Sequence, residues 1–588
     1  MKHFIKRPFV SVAKHLSLWH QVVHQRSLLE MARQRVFIAG SLVAVAYLLI
    51  CGRLVDVMVL RSSKNTNNPI TEQVAALPRA DVVDRNGEIL ATHLITASVY
   101  ANPKVILNAK EAAEKLSKVL PDVGFEVLYQ RLNSSKGFVW LARHLPPKLQ
   151  HAINQMGIPG VYLQKDHKRV YPYGKLASHV LGYCGIDNNG LAGIEKFFDA
   201  KLQKSNEPLK LSLDIRVQHA VYDEMSKAIT EFSAIGGNAM VMDLQTGELI
   251  AMVSFPGFDP NQPSQCVQDS AFNRNTLGVF EPGSTFKILN TAIALEAGTA
   301  TLNSQYDASH PISIGKFTIT DFRGKNRVLS LAEAFVYSSN IAAIKISKEF
   351  GATAQKAYLK KFGVFKTVNL EIPEIGRPLI PSTWSDVTSM TVSYGYGLSV
   401  TPLHLISTIG GIVNNGVLPK ATLLHKTAHE REEILKGNQN KDRIISEKTS
   451  RTIRDLMRMV VTEGSSKKAN IEGYQVIGKT GTAYKIQGKS YATGKARTTF
   501  FIGAFPHKSP RYIVLLMLDD PKATKDTYGF AAAGWNAAPT GGKIIERMAP
   551  ILGLHATEEI DNEGVQTPKG WVNVNHVVST HESANGTR

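Results

Sequence analysis

Three short segments carry side chains whose types and spacing can do chemistry. In Glu281-Pro282-Gly283-Ser284-Thr285-Phe286-Lys287 a hydroxyl precedes an amine by three residues. Pro-Gly marks a turn, and Phe286, Leu289, Ile293 and Leu295 follow with helical spacing, so Ser284 is expected to begin a helix with Lys287 one turn on, on the same face. An amine so placed serves a nucleophilic hydroxyl as base, provided that it is neutral. Bringing a lysine from its usual pKa to near 7 means destabilising its charged form by about 4–5 kcal/mol. Burial and a neighbouring cation can supply that, and the helix N-terminus offers N–H groups to an oxyanion. Ser338-Ser339-Asn340 is the second segment. Ser330 and Glu333 form a capping box for the helix before it, so the triplet reads as a tight loop between two short helices, able to project a hydroxyl and a carboxamide into a cleft. The third is Lys479-Thr480-Gly481-Thr482, on a strand whose side chains alternate between faces. Lys479 would be the cation that depresses Lys287 and attracts a substrate carboxylate. Gly481 would leave room for a substrate backbone, and the Thr482 N–H would be a second oxyanion donor.

Taken singly, each segment has an ordinary reading: a capping serine with a solvated lysine, a helix–helix connection, a strand. The third has a rival of another class. Gly473 to Thr480 fits G-x-x-x-x-G-K-[ST], and Ile513 to Asp519 resembles the partner strand of a P-loop ATPase. Against it, that loop needs a helix directly after the lysine, whereas Gly481 and a strand-like stretch come next. Eighteen histidines include no H-E-x-x-H and three cysteines lack ligand spacing, so neither metal nor cofactor is expected. Gly395-Tyr396-Gly397 is not a dinucleotide fingerprint.

The elements that must position these groups follow from periodicity. Strand patterns cover 211–214, 239–243, 248–254, 475–482, 498–505 and 511–518; helical patterns cover 215–232, 284–297, 331–337, 341–350, 447–462 and 540–552. Strands at both ends with helices between predict an α/β (α+β) domain, one antiparallel sheet covered by helices. Upstream, Asn86-Gly87 between apolar stretches signals a hairpin, with helices near 109–119 and 146–156.

The chain of 588 residues carries a net charge of +19. Before Val36 there are seven bases and one acid. An uncharged apolar run, Val36 to Gly52, comes next, and Val57 to Leu60 resume it after Arg53 and Asp56. This pattern predicts a transmembrane anchor over 36–60, with residues 1–35 in the cytoplasm and the remainder outside. A cleaved signal peptide or a lipid-anchored Cys51 fits less well. Residues 61–78 read as a linker, and the acidic stretch 555–588 as a disordered tail. The body between the tails is strongly basic, which outside the cytoplasm suits anionic envelope polymers rather than nucleic acid. Cys184 and Cys266 could pair in an oxidising compartment, but separate thiols fit better.

Ser-x-x-Lys, Ser-x-Asn and Lys-Thr-Gly-Thr, in that order from 284, 338 and 479, resemble the signature of penicillin-interacting serine enzymes. Arg79 with Asp84-Arg85-Asn86-Gly87, Phe138 to Arg143, Arg169-Val170-Tyr171-Pro172, His179 to Gly182 and Gly190 to Glu195 look like the pedestal of class B penicillin-binding proteins. Ser254 to Asn261 looks like the start of their transpeptidase domain, and the short tail and single span resemble the division-specific FtsI type. Ala80, Tyr396, His404 and Gly464-Ser465 depart from the usual residues, none at a catalytic position. The resemblance implies an elongated pedestal over 61–208 and a transpeptidase domain over 209–554 with a five-stranded antiparallel sheet. It implies that Ser284 attacks the D-Ala-D-Ala carbonyl of a peptidoglycan stem peptide and that Lys287 takes its proton. Ser338 and Asn340 would relay protons and hold the peptide, and Lys479, Thr480, Gly481 and Thr482 would bind the substrate end. Stem peptides and lipid-linked precursor strands would be substrates, β-lactams inhibitors, and a septal glycosyltransferase of the FtsW type with other divisome membrane proteins the partners, at the inner membrane of the division site. An elongation-type transpeptidase, a D,D-carboxypeptidase or a β-lactam-sensing receptor would share the motifs.

Overall fold

The computed structural model describes residues 33, 35–53, 79–314, 317–437, 442–487, 490–491 and 496–556. Most of the basic tail, the resumed run Val57–Leu60, the 61–78 linker and nearly all of the acidic tail lie outside them. The N-terminal helix Arg35–Arg53 has nineteen residues and a mean hydropathy of 2.0. At ~1.5 Å per residue it spans about 28 Å, long and apolar enough to cross a membrane.

From Arg79 the chain builds a pedestal. Strands β1 (Val82–Val83) and β2 (Ile89–Ala101) pair antiparallel around the expected Asn86-Gly87 turn. Asp84 Oδ1 closes that turn by accepting from the N–H groups of Asn86 at 2.7 Å and Glu88 at 2.9 Å. Helices α1 (Ala109–Val119) and α2 (Phe125–Leu132), strand β3 (Val139–Leu145), helix α3 (Pro147–Gln155) and strand β4 (Val161–Val170) come next, with β3 and β4 pairing to β2. Leu116, Leu128, Leu132 and Leu141 fill this core. At its base the buried Glu195 carboxylate lies between two guanidiniums, Arg79 Nε at 2.6 Å and Arg169 Nε at 2.7 Å.

Strand β5 (Leu209–Lys210) runs parallel to β1 and ties the pedestal to the sheet-bearing remainder of the chain. The strand expected at 211–214 sits two residues earlier, because Asp214 is committed to capping α4 (Ile215–Glu231), where it accepts from the Arg216 N–H. Next come β6 (Gly236–Asp243), β7 (Leu249–Phe255), α5 (Lys287–Glu296), α6 (Leu331–Val336), α7 (Asn340–Lys361), α8 (Pro402–Val413), α9 (Glu447–Thr462), β8 (Ile477–Tyr484), β9 (Arg497–Phe505), β10 (Tyr512–Asp519) and α10 (Ala537–Ile551). Helix α7 outruns its expected end near 350 because a second helix continues beyond the kink at Gly351, φ +77°.

The five strands lie in the order β8-β9-β10-β6-β7, all antiparallel. Both faces are covered, which is why these strands are apolar throughout rather than alternating. Met240, Met242, Phe500, Ile502, Leu515 and Met517 point to one face, against α5 to α9. Ala239, Val241, Phe501, Val514 and Leu516 point to the other, against α4 and α10. Ala80, Val82, Leu90 and Tyr171 of the pedestal base join the first core. The fold is thus α/β, a pedestal followed by a helix-covered five-stranded antiparallel sheet. Cys184 and Cys266 are both free thiols.

Candidate active site

Ser284 sits in a single 3-10 turn, Gly283–Phe286, and the α-helix starts only at Lys287. The turn is tightened by the Thr285 hydroxyl donating to Pro282 O at 2.7 Å. It is wedged against two backbones. Gly283, at φ +54°, donates to Gly395 O at 3.1 Å, and a Cβ on Gly283 would meet Thr482 O at 2.9 Å. The role expected for Gly481 changes accordingly. A Cβ there would meet Pro282 O and Thr285 Cγ2, each at 2.9 Å, so the missing side chain makes room for the serine-bearing turn rather than for a substrate. Strand β8 is an edge of the sheet, so one row of its backbone groups has no sheet partner on that side.

Lys287 is buried and donates to Ser338 O at 2.5 Å, Asn340 Oδ1 at 2.7 Å and Ser338 Oγ at 3.2 Å. Lys479, also buried, donates to the same Ser338 Oγ at 2.9 Å. Two lysines from distant segments thus meet at one hydroxyl. Among the described residues the Ser284 hydroxyl has no hydrogen-bond partner; the amine expected beside it is turned toward the Ser338 loop. Burial, reinforced by the charge of Lys479, holds the Lys287 pKa well below the usual lysine range, against an upward pull from Asp321. Burial brings Lys479 down to about 7.

The loop between α6 and α7 places Ser338 at φ +60°, a left-handed conformation that costs a non-glycine residue of order 1 kcal/mol or more. The expected Ser330–Glu333 capping box fixes the helix before it. Asp321, which no sequence motif marks, fixes it from the other side. Its Oδ2 accepts from Ser339 Oγ at 2.5 Å, and its Oδ1 accepts from the N–H groups of Asn340 at 2.5 Å and Ile341 at 3.1 Å.

Ser284, Ser338, Asn340, Thr480 and Thr482 line a cleft of about 560 Å³, with the two lysines beneath it. Thr480 Oγ1 is 2.6 Å from Ser465 Oγ, and Thr482 Oγ1 accepts from the Ala533 N–H at 3.2 Å. Tyr396 joins the wall, its hydroxyl accepting from the Tyr484 N–H at 3.2 Å. The sequence marks Tyr396 and Ser465 only as unusual residues, and Asp321 not at all. The P-loop alternative fails on geometry: Lys479 is inside β8, which continues to Tyr484, so no helix is there to cradle a phosphate.

A family model described as the penicillin binding protein transpeptidase domain matches residues 237–541, and one described as the penicillin-binding protein dimerisation domain matches residues 75–208. The chain belongs to the penicillin-binding protein transpeptidase family. This transpeptidase is 35% identical over 495 residues to the probable peptidoglycan D,D-transpeptidase FtsI of Caulobacter vibrioides, covering 82% of each chain. It is 31% identical over 536 residues to the probable peptidoglycan D,D-transpeptidase PenA of Neisseria meningitidis, covering 85% of this chain and 89% of that one. It is 28% identical over 542 residues to the peptidoglycan D,D-transpeptidase FtsI of Escherichia coli, covering 86% and 90%. Penicillin-binding protein 3 from Mycobacterium tuberculosis, solved with aztreonam, has the same fold: TM-score 0.63 at 23% identity, over 82% of this chain and 97% of that one. The transpeptidase is a class B penicillin-binding protein of the FtsI type.

Proposed function

We propose that this D,D-transpeptidase cross-links peptidoglycan at the division septum through an acyl-enzyme on Ser284. The observation that carries the reading is the meeting of two buried lysines of lowered pKa at Ser338 Oγ, under the cleft that Ser284 lines. A neutral Lys287 has two protons for three acceptors, so one contact is released and a lone pair becomes available to the Ser284 proton. Ser284 Oγ attacks the carbonyl between the two terminal D-alanines. The oxyanion falls to the N–H groups of Ser284 and Thr482. Collapse expels the terminal D-alanine, whose amine leaves with the proton that Lys287 took. Ser338 links the two lysines as a proton relay, and Asn340 holds the peptide. Lys479 with the Thr480 and Thr482 hydroxyls faces the terminal carboxylate. An amine of a neighbouring stem then attacks the ester; its proton passes through Lys287 to the departing Ser284 Oγ, so the ester bond breaks as the new peptide bond forms. A β-lactam carbonyl opens on Ser284 by the same first step.

The anchor is assigned to 36–60, with 1–35 cytoplasmic, the pedestal to 61–208 and the transpeptidase domain to 209–554, outside the inner membrane. The basic N-terminal flank supports that orientation. The pedestal and anchor would dock membrane partners of the divisome, a septal glycosyltransferase of the FtsW type among them, and lipid-linked strands would supply the stems. Labelled penicillin tests the chemistry: it must modify the wild type and not Ser284→Ala. Depletion tests the setting: filaments support septal work, and round cells would reassign the enzyme to elongation.

A further inference from the structure

Five basic side chains at the cleft, Arg323, Lys325, Lys467, Lys468 and Arg497, face one acid, Glu463. The acyl transfer above uses none of them. Two are held in an unusual way. The Arg323 guanidinium lies 4.4 Å from the centre of the Phe530 ring. Phe530 stacks on Trp535 at 5.7 Å with 20° between planes, and Lys468 Nζ lies 4.1 Å over Trp535. A cation–ring–ring–cation stack therefore joins the loop before α6 to the turn after α9, across one wall of the cleft. Among the described residues neither Arg323 nor Lys468 has a carboxylate partner, and Glu463 has a partner of its own. Arg323 also adopts φ +55°, a left-handed backbone that an arginine accepts only where its surroundings hold it. Ring faces immobilise the cations without consuming their N–H donors, which lowers the ordering cost of binding an anion.

We propose that this stack is an anion shelf that reads a stem-peptide carboxylate other than the terminal one, so that the enzyme prefers acidic stems to their amidated counterparts. The proposal rests on the transpeptidase reading of the cleft. The terminal carboxylate belongs to the β8 wall, with Thr480, Thr482 and Lys479. A second carboxylate further along the peptide meets the shelf, where a planar guanidinium can grip it with two parallel hydrogen bonds. The same chemistry is available on the donor stem and on the acceptor stem.

The test uses the full-length protein in detergent and two pairs of synthetic peptides. One pair are donors differing only in a side-chain carboxylate or carboxamide before the D-alanyl-D-alanine end; the other pair are acceptors differing likewise. For the wild type the carboxylate form is expected to have a kcat/KM about tenfold or more higher in at least one pair. Arg323→Gln with Lys468→Gln should bring that ratio close to one, and the arm in which it falls identifies the stem. A wild-type ratio of one in both pairs overturns the proposal, as does a double variant that slows both members of a pair equally. Labelled penicillin separates the two levels: normal acylation of the wild type with an unmoved ratio sinks the shelf alone, whereas failure to acylate sinks the transpeptidase reading beneath it.

Discussion

Replacing Lys479 by glutamine removes a charge from beside Lys287 while keeping a donor near Ser338. Ser338 Oγ is 2.9 Å from Lys479 Nζ and 3.2 Å from Lys287 Nζ, so the two amines are at most 6.1 Å apart. At an effective dielectric of about 20, two like charges at that distance repel by about 2.7 kcal/mol, or about two pKa units. The charge of Lys479 opposes protonation of Lys287, so removing it raises the Lys287 pKa. Less neutral amine then remains at neutral pH, and the acid limb of acylation moves to higher pH by about two units. Because Lys479 titrates near 7, the difference from wild type is largest below that pH and fades above it. The assay is the second-order rate of labelling by a fluorescent penicillin, followed from about pH 5 to pH 10. Lys479→Arg keeps the charge and should hold the limb in place. An unmoved limb, with the rate scaled down equally at every pH, would show that Lys479 acts on the substrate alone and refute the coupling.

Three further outcomes rest on the same geometry. The carboxylate of Asp321 pulls the Lys287 pKa upward, so Asp321→Asn should move the acid limb the opposite way, to lower pH, in the same labelling series. Gly481→Ala puts a methyl 2.9 Å from Pro282 O and Thr285 Cγ2; overpacking of about 1–3 kcal/mol should displace Ser284 and slow labelling at least tenfold, and unchanged labelling would contradict the wedge. Glu195→Gln leaves Arg169 buried without its counter-ion and Arg79 with Asp199 alone, which should cost about 3–5 kcal/mol in the pedestal. The readout is a lowered unfolding midpoint with penicillin labelling kept at low temperature.

Much of this site is legible in the order of residues because its parts are local. Ser284 and Lys287 share one turn-to-helix junction, the Ser330–Glu333 box caps the helix that delivers Ser338, and β8 carries Lys479 beside Thr480. What the sequence hides is close approach. Gly481 signals an open place but not what fills it, and only the packing of β8 against the 283–286 turn shows that it is the enzyme's own backbone. Asp321 lies among short hairpins with no motif, so its grip on the Ser339–Ile341 backbone comes from tertiary folding alone. The same is true of Arg323, Lys468, Phe530 and Trp535, which lie on three separate loops. Local competition explains the displaced strand at 211–214, where Asp214 serves the helix instead of the sheet.

The central claim is that Ser284 carries the acyl group. The direct measurement is mass spectrometry of the full-length protein, quenched during turnover of a donor peptide ending in D-alanyl-D-alanine and digested to fragments. The expected result is a mass on the Ser284 fragment equal to the donor less one D-alanine, lost on adding an acceptor amine and absent in Ser284→Ala. An unmodified Ser284 alongside cross-linked product, or the adduct on another residue, would contradict it.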